Sequence, residues 1–204
     1  MRGYYFITDS TLSRAGNAAD VKSALAARVS VVQYREKHKT ARKMYEEALL
    51  LRRMCKKITF LVNDRVDIAL SVKADGVHLG REDLPYMAAR KLLGEDKIIG
   101  LTVHTLKQAI EAQELGADYI GVSPIFATGT KPDAQEPVGL ELIRKIKQRV
   151  SISVIAIGGI NLSNATQVIR AGADGLCAIS AVITRPNVKS QIERFQGLFW
   201  CRKV

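Results

Sequence analysis
The 204 residues, 47% of them hydrophobic, accommodate one large core, and no apolar run approaches the ~20 residues of a membrane span. Three scattered cysteines (Cys55, Cys177, Cys201) and a start, YYFIT, that lacks the apolar core of a signal peptide indicate no disulfide framework, zinc site or export signal, so a cytoplasmic protein is expected. The formal charge of +11, from 31 Lys and Arg against 20 Asp and Glu, is spread over several predicted helices with few aromatics, which argues against nucleic acid and for small anionic substrates.

In chain order, strand-like apolar runs alternate with segments of helical period. YYFIT (4–8) precedes DVKSALAA, VSVVQYRE (29–36) precedes a helix starting near Thr40, and ITFLVN (58–63) precedes RVDIALSVKA. GVHLG (76–80), IIGLTV (98–103), YIGVSPI (119–125), SVIAIGG (153–159) and GLCAIS (175–180) follow, each with a helical stretch behind it. Ala41, Met44, Tyr45, Ala48, Leu51 and Cys55 carry the helical spacing most clearly. Nearly continuous apolar strands separated by helices mean a parallel sheet covered on its outside. Eight such units predict an α/β fold, a single (βα)8 TIM barrel over residues 1–204. An open doubly wound sheet would need GxGxxG or a P-loop after its first strand, and neither is present.

A short internal echo, KADGVHLG, GADYIGVS and GADGLCAIS, repeats a helix end followed by a strand, with Gly116 and Gly172 placed as C-cap glycines. It puts Asp75, Asp118 and Asp174 at the N-terminal face of the barrel, where residues serve stability, and so excludes them from the site. RRMCKK (52–57) and RKIKQR (144–149) sit at helix C-terminal ends, where cations complement the dipole.

Chemistry in such barrels lies at the C-terminal strand ends. Alternation after VSVV turns Gln33, Arg35 and Lys37 to one side, a grip suited to a polyphosphate. Asn63, Asp64, His78 and Asp83 collect on a neighbouring rim; Asp64 and Asp83 are hard oxygen ligands suited to Mg²⁺, although Asp64 is equally placed to cap the helix beginning at Arg65. SPIFATGTKPDA (123–134) is a wrapping loop with Lys131 as its charge, and the bare backbone of Gly158 and Gly159, with Ile179 and Ser180, matches the phosphate site barrels often build after strands seven and eight. His78 and His104 are further candidates, whereas His38 is expected in solvent.

QYREK, VNDRVDIAL, ADGVHLGREDLP, GADYIGVSPIFATGTKPDA, VIAIGGI and GADGLCAISAV, in this order from Tyr4 to about Ile183, resemble the thiamine phosphate synthase family. The resemblance implies condensation of (4-amino-2-methyl-5-pyrimidinyl)methyl diphosphate with hydroxyethylthiazole phosphate, giving thiamine phosphate and pyrophosphate. It also implies that Gln33, Arg35, Lys37, Asn63 and Lys131 hold the pyrimidine diphosphate and that Asp64 and Asp83 bind Mg²⁺. Thr128 and Thr130 would face the thiazole, whose phosphate would take the backbone of Gly159, Ile179 and Ser180; Lys131, Arg35 and Thr102 would form the catalytic set. Only small-molecule partners are expected, and a homo-oligomer is compatible with this reading.

Three positions depart from the family pattern: Thr102 stands for the usual Ser, adding a methyl near the pyrimidine, Arg28 for a turn glycine, and Arg81 for a Gln beside Asp83. A related thiazole tautomerase on the same fold resembles the chain around REK and GGI but typically lacks the two carboxylates. A non-catalytic barrel that only binds a phosphate ligand is the other alternative.

Overall fold
A computed structural model describes residues 1–129 and 136–200. Among these, nine parallel strands form one sheet in the order β1-β9-β8-β7-β6-β5-β4-β3-β2. β1 (Gly3–Tyr4) and β2 (Phe6–Ile7) are halves of the first predicted strand, parted at Tyr5. β1 pairs with β9 (Gly175–Cys177) and β2 with β3 (Val31–Tyr34), so this one segment closes the sheet into a TIM barrel. The remaining strands, β4 (Thr59–Asn63), β5 (Gly76–Leu79), β6 (Ile98–Val103), β7 (Tyr119–Val122) and β8 (Ser153–Ile157), all fall inside the apolar runs of the sequence.

Helices α1 (Asn17–Ala26), α2 (Ala41–Met54), α3 (Val66–Ser71), α4 (Tyr86–Leu93), α5 (Leu106–Leu115), α6 (Gly139–Lys147) and α7 (Ala165–Arg170) return the chain between strands, and a single turn, α8 (Ser180–Ile183), and helix α9 (Val188–Trp200) follow β9. Among the described residues no helix is long and apolar enough to cross a membrane. The strands are buried on both faces, as Phe60, Leu61 and Val62 show. In α2 the buried stripe is Met44, Ala48, Leu51 and Cys55; Ala41 and Tyr45, which share the spacing, are exposed. The sheet covers a narrower arc of the helix than the apolar residues offer.

Every second unit ends in the same construction. Asp75, Asp118 and Asp174 accept the backbone N–H groups of Phe60, Ile99 and Val154, each at 2.8 Å and each one residue inside the preceding strand. A cation from the last turn of the preceding helix joins each one: Arg52 on Asp75 at 3.0 Å, Arg90 on Asp118 at 3.2 Å, Lys147 on Asp174 at 2.8 Å. These cations thus tie helix ends to strand starts as well as complementing the dipole. The preceding helix exits also repeat. Ala117 and Ala173 donate to carbonyls five residues back, with Gly116 (φ 94°) and Gly172 (φ 112°) in left-handed backbone. Arg28 (φ 59°) and Lys73 (φ 55°) occupy the same turn without being glycine.

Candidate active site
The C-terminal strand ends surround a cavity of about 270 Å³. Gln33, Arg35 and Lys37 enter it from β3 and its exit, Asn63 and Asp64 from β4, and His78, Arg81 and Asp83 from β5 and the turn beyond. Thr102 and His104 come from β6, Thr128 from the loop after β7, Gly159 from β8, and Ile179 and Ser180 from beyond β9. Every described residue predicted for the site therefore reaches one space. Thr130 and Lys131 lie outside the described residues.

Asp64 adopts left-handed backbone (φ 62°), and its N–H donates to the carbonyl of His78 at 2.9 Å. Helix α3 begins at Val66 with Arg65 as its N-cap, so the capping alternative for Asp64 does not hold. Its carboxylate instead accepts Lys37 Nζ at 2.5 Å and hydrogen-bonds to Asp83, whose own Oδ2 accepts the N–H of Gly80 at 2.6 Å. Burial, and then the neighbouring Asp64, push the Asp83 carboxyl up to about 6. Burial acts on Asp64 in the same sense, but its bonds to Asp83 and Lys37 hold it below the usual carboxylate range. The pair keeps one proton until about pH 6. Arg81, beside Asp83, makes no ion pair among the described residues.

Asp9, which the sequence reading missed, is 4% exposed and accepts Arg35 Nη1 at 2.6 Å, while its other oxygen takes the Thr11 hydroxyl at 2.6 Å. Arg35 Nε is buried and unpartnered. Such a donor is a binding place for an anion. Glu36 turns away from the cavity and accepts the N–H groups of Lys37 and His38, both at 2.9 Å, bracing the segment that carries Lys37. Burial would raise its carboxyl, but hydrogen bonds from Ser10, His38 and Lys39 prevail and hold it at about 2. His38 is exposed as expected.

His78 lies between Tyr119 and Thr102, with Nδ1 2.9 Å from the Tyr119 hydroxyl and Nε2 2.9 Å from Thr102 Oγ1. Tyr5 and Tyr119 extend this contact into the core and were also missed, because a tyrosine in an apolar strand reads as packing. His104 is held through Nδ1 by the carbonyl of Ser123. Across the mouth, Gly158 (φ 99°) and Gly159 (φ 65°) turn the chain out of β8. A Cβ on Gly159 would meet the Ala127 carbonyl at 2.5 Å, and one on Gly158 would meet Pro124 at 2.6 Å. Only bare backbone fits under the loop that presents Thr128.

A model of the family described as thiamine monophosphate synthase matches residues 4–182. A thiamine-phosphate synthase from Methanosarcina barkeri is 51% identical over 94% of this chain and 88% of its own length; one from Chloroflexus aurantiacus is 49% identical over 95% and 91%. Among solved structures, thiamine phosphate pyrophosphorylase from Pyrococcus furiosus superposes with a TM-score of 0.90 at 40% identity, covering 97% of this chain and 95% of that one. The motifs that fill the cavity, the barrel that gathers them and a match over nearly the whole length agree, and the chain belongs to the thiamine monophosphate synthase family.

Proposed function
We propose that this chain is a transferase of one domain, working in the cytoplasm, that condenses (4-amino-2-methyl-5-pyrimidinyl)methyl diphosphate with hydroxyethylthiazole phosphate. The observation that supports this reading is one cavity with two sides whose chemistry suits anions. Arg35, with its unpartnered Nε, stands beside Lys37 and the carboxylate pair, and the bare glycine backbone lies across the mouth.

The carboxylate pair suits a divalent cation by its donor chemistry. Two hard oxygens close enough to share a proton gain most from a positive charge between them. Among the described residues no third His, Cys, Asp or Glu joins them, so a bound Mg²⁺ would draw its other ligands from diphosphate and water. When bound, Mg²⁺ neutralises charge on the departing pyrophosphate. Arg35, oriented by Asp9, and Lys37 do the same from the protein side, and Lys131 would join them from the loop after β7. Gln33, Asn63 and Thr102 hold the pyrimidine. Thr128 and Thr130 position the thiazole so that its nitrogen meets the carbon the diphosphate leaves, and the backbone at Gly159, Ile179 and Ser180 takes its phosphate. The pyrimidine ring stabilises the cation left at that carbon, so the reaction needs no strong protein base.

Pyrophosphate release in the presence of both substrates and Mg²⁺ tests the assignment. Release that requires the thiazole phosphate and stops with chelator is expected. Isomerisation of a thiazole phosphate carboxylate without pyrophosphate would identify the tautomerase, and binding without turnover a regulatory barrel.

A further inference from the structure
Beneath the cavity floor, five polar side chains from five different strand segments touch end to end. Gln33 Nε2 donates to the Tyr5 hydroxyl at 3.0 Å, the Tyr5 and Tyr119 hydroxyls are 2.7 Å apart, and Tyr119, His78 and Thr102 continue the line at 2.9 Å each. Gln33, His78 and Thr102 face the cavity, whereas Tyr5 and Tyr119 are only 3% and 1% exposed. The neighbouring strands make room for the rings. A Cβ on Gly100 would lie 2.0 Å from Tyr119 Cζ, and one on Gly121 would lie 3.0 Å from His78 Cε1.

The direction of this line follows from its buried end. Tyr5 accepts from the Gln33 amide, so its own hydrogen must go to Tyr119, or a buried donor is left unmade. In the neutral ring Tyr119 then donates to His78 Nδ1, which leaves the single His78 proton on Nε2, donated to Thr102 Oγ1. The Thr102 hydroxyl, already an acceptor, offers its hydrogen to the cavity, and Gln33, its N–H turned to Tyr5, offers Oε1.

We propose that Tyr5, Tyr119 and His78 are positioning residues that fix Thr102 as a donor and Gln33 as an acceptor, and so select an amino-substituted heteroaromatic ring over its deaminated, oxo counterpart. A ring nitrogen lone pair answers Thr102, and an exocyclic amino N–H answers Gln33. The oxo form presents N–H and carbonyl instead, and faces like groups at both places. This deepens the reading of the site as a pyrimidine diphosphate pocket and rests on it.

Two measurements decide it. Nitrogen-15 NMR of His78 in the free protein should show the neutral ring protonated at Nε2; protonation at Nδ1 overturns the proposal, and this measurement needs neither a variant nor turnover. In the second, kcat/KM is compared for the 4-aminopyrimidinylmethyl diphosphate and its 4-oxo counterpart. Tyr119→Phe and Tyr5→Phe, each checked for an intact melting transition, should lower the preference for the amino substrate by about tenfold or more. A merely structural role would depress both substrates together, and an unchanged ratio in both variants overturns the proposal. If the wild-type protein turns over neither compound, the functional reading fails by itself, and the His78 proton position still decides the relay.

Discussion

Replacing Asp83 with Asn is expected to make the protein more stable while disabling it. Burial and Asp64 raise the Asp83 carboxyl from an ordinary 3.8 to about 6. Its folded value lies above its unfolded one, so its contribution to stability is fully present below about pH 4 and is lost as the pH rises through about 6. At about 1.36 kcal/mol per pH unit the loss amounts to roughly 3 kcal/mol, and solvent screening at this partly exposed position reduces it to about 1–2 kcal/mol. Asn keeps an oxygen for the Gly80 N–H and removes the charge. In chelator at pH 8 the variant should therefore melt about 2–8 °C above wild type, at roughly 2–4 °C per kcal/mol for a chain of this size. At pH 4 the two should melt together. Turnover at saturating Mg²⁺ should fall on the order of a hundredfold, with a higher metal requirement. A variant that melts no higher at pH 8 would refute the shared proton, and one that turns over normally at limiting Mg²⁺ would remove the carboxylates from the metal site.

Three further substitutions probe other parts of the argument. Arg28→Gly relieves a left-handed non-glycine residue, worth about 1–2 kcal/mol, against a glycine entropy of about 0.5–1 kcal/mol; urea unfolding should show a gain near 0.5 kcal/mol, and a loss would mean the turn is not strained. Asp174→Ala removes the tie between Val154 and Lys147 and should destabilise the fold by about 1–2 kcal/mol with turnover within about twofold of wild type. Lost turnover at unchanged stability would move this residue into the chemistry. Gly159→Ala drives a Cβ against the Ala127 carbonyl and shifts the loop that carries Thr128, so KM for the thiazole phosphate should rise about tenfold or more while calorimetric binding of the pyrimidine diphosphate changes by less than about threefold. Equal weakening of both ligands would show that the cavity is not divided as described.

The barrel was legible because its signals are local and repeated. Apolar runs mark β3 to β9, and the echo around Asp75, Asp118 and Asp174 marks helix exits whose backbone geometry is the same each time. The β4 and β5 carboxylates could be found because Asp64 follows its strand directly and Asp83 lies in the short turn just past its own. Asp9 follows a strand as well, but within TDS it reads as a turn, and only the fold brings Arg35 to it across 26 positions. The same reasoning about strand ends, applied to YYFIT, would have found it. Tyr5 and Tyr119 carry no such local signal, since what separates them from core tyrosines is a pair of hydroxyls meeting from segments 114 positions apart. The exposure of Tyr45 was equally hidden, because helical spacing defines a stripe and not the arc that the sheet will cover.

The seam at Tyr5 makes the ends of the chain answerable to each other. Gly3 and Tyr4 are held by β9, and the Tyr4 hydroxyl donates to the carbonyl of Ala178, 174 positions away, while Phe6 and Ile7 belong to β3. Closure of the ring is therefore the most non-local event in folding, and it has to wait for the last strand. Until then the edges of β1 and β9 remain unpaired and open to another copy of the chain. Removing residues 1–5 would leave the intermediate strands intact yet hold the molecule in that open state, with Gln33 separated from its tyrosine. A short first strand thus acts as a latch, and its loss should appear as aggregation during refolding before it appears as a change in any ligand contact.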